Sequence, residues 1–242
     1  MDSSSSALPS TDKDDVLLPP SLEHARINTL PQTAYYIPNF ITEQEEQNIL
    51  DKISSAPKPR WKQLTKRRLQ TWPSDLVNNK LLEAPLPPWL QDPVISRLLS
   101  MPSQDSSAAN IFERSPHKKP NHVLINEYPP GIGIMPHKMA RHTGQFKEDG
   151  ALDPEPAWRI LQEPRSLLVT TDELYTEYLH GIADIEEDAD LSAETVANWD
   201  LLRSPGVYAN GRNIRQTRTS LTYRDVLQVS KVANKLGIFL KR

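Results

Sequence analysis

Cysteine is missing from this chain, which excludes disulfides, thiolate zinc sites and thiol nucleophiles. Glycine is scarce, 8 residues against 22 prolines, a balance that suits a folded centre with proline-rich connections. Charge of either sign is nearly balanced, with a formal net charge of −3. The whole molecule therefore exerts no pull on nucleic acid or acidic membranes, and such binding must come from a local patch. No apolar run approaches the roughly 20 residues a membrane helix requires. The N-terminus, MDSSSSALPSTDKDD, is polar and acidic, unlike a secretory signal or an Arg-rich transit peptide. A soluble protein of the nucleus or cytoplasm, a monomer with no membrane partner, is expected. What is present is 242 residues, 37% hydrophobic, enough for one sizeable core with extensions. No internal repeat is visible.

Residues 1–30 are rich in Ser, Pro and Asp without periodicity and read as a disordered arm. The run TAYYIPNF predicts a short strand stopped by Pro38. Thr42 with Glu45 three residues on forms a capping box, and Ile49, Leu50 and Ile53 give the following helix one apolar stripe. Prolines in SSAPKPR end it. A proline-bounded turn then leads into a short helix with Val94, Leu98 and Leu99 inward. Residues 31–118 read as an N-terminal segment and residues 119–228 as the main domain. Val123, Leu124 and Ile125 mark a buried strand, RSLLVTT another, and DELYTEYL a helical turn leading to His180. Residues 147–164 read as an acidic, proline-rich loop, 184–198 as an acidic surface insertion, and 229–242 as a C-terminal tail. In RQTRTSLTYRDVLQVS, alternation sets Leu221 and Tyr223 on one face and Arg218, Ser220, Thr222 and Arg224 on the other.

Several residues carry chemistry. Arg218 and Arg224 share a strand face roughly 20 Å apart, and guanidinium groups reaching toward each other leave a gap suited to a small dianion. Two surface arginines on an edge strand would show the same pattern. Asn126 and Tyr128, also on one face, are apt donors to a carboxylate, or else half-buried strand residues bonded to backbone. His137 and His180 are candidate ligands for a first-row metal, as in two-His-one-carboxylate iron sites, although a single histidine is commonly structural. Between Lys58 and Arg68 lie six cations, Lys58, Arg60, Lys62, Lys66, Arg67 and Arg68, flanked by Trp61 and Trp72. Cations interleaved with indoles suit phosphate contact and base stacking. The alternative is a solvated face with Trp61 packed into the core.

In the order NEYPPG, MPH, HGI and RTSLTYR the chain resembles the AlkB-type Fe(II)/2-oxoglutarate dioxygenases, and most of all their AlkB homologue six branch. The similarity also takes in YYIPNFIT, RRLQ, LPPWL and EPRSLLV, and spans residues 33 to about 228. The resemblance implies an α+β, mainly β fold: a double-stranded β-helix, or jelly roll, behind a substrate-facing α/β extension. It implies an oxidoreductase that removes N-methyl groups oxidatively from nucleic acid (DNA or RNA) or protein. Its cofactors would be Fe(II) and 2-oxoglutarate. Asn126, Tyr128, Arg218 and Arg224 match the positions that hold 2-oxoglutarate, and His137 and His180 match iron ligands. The basic segment lies where relatives contact nucleic acid.

One part of the pattern is broken. The family's His-x-Asp is His137-Lys138-Met139 here, and a thioether brings no charge to balance Fe(II). Between Met139 and Pro164 the family's Asp-Gly, aromatic-Pro and Ser-Leu-Gly elements are missing, which predicts an incomplete jelly roll. A splice or reading-frame junction, a pseudoenzyme keeping the cofactor pocket, and an enzyme with replacement ligands (His142, Glu148 or Asp149) all fit. Weak or absent iron binding and no turnover are expected. The competing reading is a non-catalytic nucleic-acid-binding protein using Lys58–Trp72.

Overall fold

A computed structural model of the chain describes residues 16, 18–30, 34–102, 110–138 and 156–230. The elements follow in chain order: β1 (Ala34–Ile37), α1 (Glu43–Ser54), β2 (Lys62–Gln63), β3 (Arg68–Trp72), β4 (Leu76–Val77), β5 (Lys80–Leu82), α2 (Pro88–Gln91) and α3 (Val94–Ser100). The second half holds β6 (His122–Tyr128), β7 (Ile134–Lys138), β8 (Leu167–Thr170), α4 (Asp172–Thr176), β9 (Leu179–Ile182), β10 (Glu187–Asp188), β11 (Asn213–Ile214), β12 (Arg218–Arg224) and β13 (Val229–Ser230). The protein is mainly β with few helices. Its strands form five small sheets among the described residues, and none of these closes into a barrel.

The capping box at α1 forms as the sequence predicts. Thr42 Oγ1 accepts from the Glu45 N–H at 3.1 Å, and the Glu45 carboxylate accepts from the Thr42 N–H at 2.8 Å. Arg97 of α3 bonds the same carboxylate at 2.8 and 2.9 Å, so one side chain caps α1 and ties α3 to it.

The largest sheet runs β12-β6-β3-β2, antiparallel throughout. Because side chains alternate across a strand, β6 and β12 each have two unlike faces. Val123, Ile125, Leu221 and Tyr223 pack with Ile49 and Ile53 of α1, Leu90 of α2, and Val94, Ile95 and Leu98 of α3. Gln70 of β3 is fully buried on this side, where it donates to the Ile53 carbonyl at 2.8 Å and accepts from Trp72 Nε1 at 3.0 Å. It thereby fastens the end of α1 to the sheet.

A second core contains Ile27, Leu30, Ala34, Tyr36, Leu191, Val196, Leu202 and Tyr208. It overturns two expectations. Residues 18–30 are not part of a disordered arm, because Leu22, Ala25, Ile27 and Leu30 are buried and a 3-10 turn spans Leu22–Ala25. Nor is 184–198 a surface insertion, because Leu191 and Val196 lie in this core and Asn198 is 1% exposed. The Asn198 amide pairs with both backbone groups of Leu161, at 2.9 and 2.7 Å, so a side chain supplies the partners that a neighbouring strand's backbone would. The expected junction at Met139, and the candidate replacement ligands after it, lie outside the described residues.

Candidate cofactor site

The face of β6 and β12 turned away from the helices carries the polar residues. The antiparallel register sets Tyr128 opposite Arg218, Asn126 opposite Ser220, Leu124 opposite Thr222 and His122 opposite Arg224. The predicted grouping is present: Asn126, Tyr128, Arg218 and Arg224 share one face. Tyr128 is 2% exposed and Asn126 5%. The Arg218 guanidinium lies over the Tyr128 ring, 4.3 Å from its centre.

Arg218 is the most unusual group here. Its Nη2 is buried and, among the described residues, has no hydrogen-bond partner. Burial, with Arg215 and Arg67 nearby, holds the guanidinium below its usual value, opposed in part by the Tyr128 hydroxyl. Arg215 is itself neutralised by Asp188 at 2.6 Å; Arg218 bonds no carboxylate among the described residues. Asn126 Oδ1 on the same face is also buried and has no partner among the described residues, and a half-turn of that amide presents its NH₂ to an anion instead. Burying part of a guanidinium with a hydrogen bond left open is costly. These residues fit a carboxylate ligand, which would complete the hydrogen bonds the protein leaves open.

Arg224 stands six residues along β12, beside His122. His122 is 2% exposed and, among the described residues, neither ring nitrogen bonds a side chain. Burial, reinforced by the Arg224 charge, pushes its imidazole down to about 4.

The two predicted metal ligands meet across another ladder. β7 and β9 pair antiparallel with His137 directly opposite His180 and a register shift between Ile134 and His137; opposed residues on such a ladder have Cα atoms about 5 Å apart. His180 sits on the strand itself, not on the helical turn before it, since α4 ends at Thr176. Two glycines of PPGIGI permit the approach. Gly131 has φ +77°, and a Cβ on Gly133 would lie 2.0 Å from the Ile182 carbonyl oxygen. Among the described residues no group of three or more His, Cys, Asp or Glu side chains could hold a metal ion. Two opposed histidine positions do not make a complete Fe(II) site.

The basic segment is folded differently from a stacking platform. Trp61 and Trp72 both pack against the first core. The Arg68 guanidinium covers Trp61 at 4.2 Å and Arg60 covers Trp72 at 4.2 Å. Arg68 is also paired with Glu127 at 2.6 and 2.8 Å, Lys62 with Asp75 at 2.5 Å, and Lys66 with Asp184 at 2.7 Å. Arg60 donates to the Pro73 carbonyl at 2.8 Å. Lys58 is exposed in a short 3-10 turn. Arg67 turns inward and donates to the Tyr128 hydroxyl at 2.6 Å. Sequence reasoning missed that contact, and the buried His122 as well; neither has a local pattern to announce it.

No family model matches the chain. Curated proteins do. A zebrafish (Danio rerio) protein named probable RNA/DNA demethylase ALKBH6 is 35% identical over 240 residues, covering 89% of this chain and 95% of that protein. An uncharacterised mimivirus protein, L905 of Acanthamoeba polyphaga mimivirus, is 26% identical over 85% of this chain and 90% of its own length. A plant (Arabidopsis thaliana) alkylated DNA repair protein, an ALKBH8 homologue, is 28% identical over 54% of this chain and 36% of that protein. The chain belongs to the AlkB-like family. Within that family, the zebrafish ALKBH6 protein is similar to it over nearly its whole length.

Proposed function

We propose that the chain is an AlkB-type protein that binds 2-oxoglutarate on the β6–β12 face and holds iron poorly, so that oxidative demethylation is impaired. The observation that supports the pocket is Arg218, a half-buried guanidinium over Tyr128 whose buried Nη2 is open, with no carboxylate partner among the described residues. Arg218 would grip one carboxylate of the dianion, with the Tyr128 hydroxyl and the Asn126 amide donating beside it. Arg224 would face the other end, past Ser220 and Thr222. When bound, iron would activate O2, the oxidant with which the family hydroxylates N-methyl groups, and 2-oxoglutarate would be oxidised alongside to succinate and CO2.

His137 and His180 would contribute two imidazoles, and Met139 stands where the family places the aspartate. Without that charge, Fe(II) has neither its third ligand nor its balancing anion. The jelly roll of the family would then be incomplete in this chain. The names of the zebrafish and plant relatives support nucleic acid as the substrate class. The geometry of Lys58–Trp72 gives less support to the competing reading, a nucleic-acid-binding protein that works through that segment. Its indoles are covered by arginines and three of its six cations are ion-paired.

Calorimetry on the full chain tests both halves. Saturable 2-oxoglutarate binding with substoichiometric Fe(II), and no succinate release, is expected. Stoichiometric Fe(II) binding with 2-oxoglutarate-dependent succinate release would overturn the impairment, and lack of 2-oxoglutarate binding would overturn the pocket.

A further inference from the structure

Arg67 belongs by sequence to the basic segment, yet its guanidinium leaves that surface. Its Nη1 donates to the Tyr128 hydroxyl at 2.6 Å, and its Cζ lies 5.4 Å from the centre of the Tyr128 ring. With Arg218 at 4.3 Å, two cations address one phenol. Neither bonds a carboxylate among the described residues, so a charge of about +2 converges there on a largely buried tyrosine. We infer that Arg67 is a positioning residue of the dianion pocket, acting on the bound carboxylate through the Tyr128 hydroxyl. The inference rests on the reading of that pocket given above.

The chemistry follows from the hydroxyl. A phenol has one proton to donate and lone pairs to accept. By filling an acceptor position with a charged donor, Arg67 fixes the direction of the hydroxyl and leaves its proton for the ligand. A donor polarised in this way makes a stronger bond to a carboxylate, because hydrogen bonds in a chain reinforce each other.

The local fold makes this placement rigid. Arg67 closes the turn between β2 and β3, where the Leu64 N–H donates to the Arg67 carbonyl at 2.8 Å. The Gln63 amide ties the same turn through the Leu64 carbonyl at 2.8 Å and the Arg67 carbonyl at 3.3 Å. Next to it, Lys66 meets Asp184, whose other oxygen accepts from the Gly133 N–H at 2.6 Å. The turn is thus pinned to the segment that follows β9 and to the approach to β7. Pre-organisation of this kind lowers the ordering cost of binding.

The test is a double-mutant cycle on the full chain, read by calorimetric titration with 2-oxoglutarate. Arg67→Ala and Tyr128→Phe should each weaken binding by about tenfold or more, the loss expected for a bond involving a charged group. The double variant should bind no worse than Tyr128→Phe alone, because both changes remove the same device. Arg67→Lys should recover part of the loss, and Arg67→Gln, a neutral donor, less. Two results overturn the inference while leaving the pocket intact: Arg67→Ala binding like the natural chain while Arg218→Ala does not, or Arg67 and Tyr128 losses that multiply. If the natural chain binds no 2-oxoglutarate, the pocket reading fails and the inference falls with it. Should Arg67→Ala not fold, the Lys and Gln variants carry the same comparison.

Discussion

His122 makes the chain's stability depend on pH in a way that a single substitution isolates. The ring is 2% exposed, and its imidazole is pushed from 6.5 down to about 4 by burial and by the Arg224 charge across the ladder. The folded protein keeps this ring neutral at pH values where the unfolded chain protonates it. Above pH 6.5 neither state binds the proton and the contribution to stability is whole. As pH falls from 6.5 to about 4 the unfolded state gains a proton that the folded state refuses, and stability drops by about 1.4 kcal/mol per pH unit. Below about 4 both states are protonated and the loss, about 3 kcal/mol in all, is complete. Urea unfolding of the natural chain and of His122→Leu, measured between pH 7.5 and 4, gives the comparison. Leu is close in volume and does not titrate, so carboxylate effects common to both cancel in the difference. Expected is a stability difference that moves in favour of His122→Leu by about 3 kcal/mol across that range. Parallel curves would refute the assignment and mean that the folded protein protonates His122 without penalty.

Three further outcomes follow from the same geometry. Asn198→Ala removes the amide that satisfies both backbone groups of half-buried Leu161; the two lost bonds should cost about 1–3 kcal/mol in urea unfolding. Arg218→Ala should weaken 2-oxoglutarate binding by about 10- to 100-fold, read by calorimetry, since it deletes the charged group that would grip one carboxylate. Met139→Asp returns a charged oxygen ligand to the His-x-Asp position. It should strengthen Fe(II) or Mn(II) binding at least about tenfold, read by metal titration, if the absent carboxylate is what limits the site.

Part of the polar face of β6 and β12 was legible in the sequence because it depends on local periodicity. Alternation sets Asn126 with Tyr128 and Arg218 with Arg224, each pair on one face of its own strand, and the Thr42–Glu45 box marks its helix by an equally local spacing; that the two strands lie side by side was only what the family resemblance implied. The acidic stretch 184–198 misled because its anchors, Leu191, Val196 and Asn198, are spaced without strand or helix period. Only the docking of Asn198 on Leu161 makes that segment internal. The basic segment misled for the opposite reason. Its composition suits nucleic acid, but the partners that occupy it, Asp75, Glu127 and Asp184, are remote in sequence or on other elements. No spacing rule reveals that a guanidinium will cover an indole, or that Arg67 alone will turn inward.

β12 is the outer strand of its sheet among the described residues, and such a strand offers unpaired backbone groups to any passing chain. Between its arginines it reads TSLTY, a β-prone run with no charge of its own. Charges that bracket such a run act as gatekeepers against strand addition and aggregation. In the unfolded chain, where both are exposed, the arginines that would grip a dianion also bracket this run against aggregation. Replacing both should produce a protein whose first defect is colloidal, seen as precipitation at concentrations where the natural chain stays dispersed. Light scattering should therefore accompany any binding measurement on such variants.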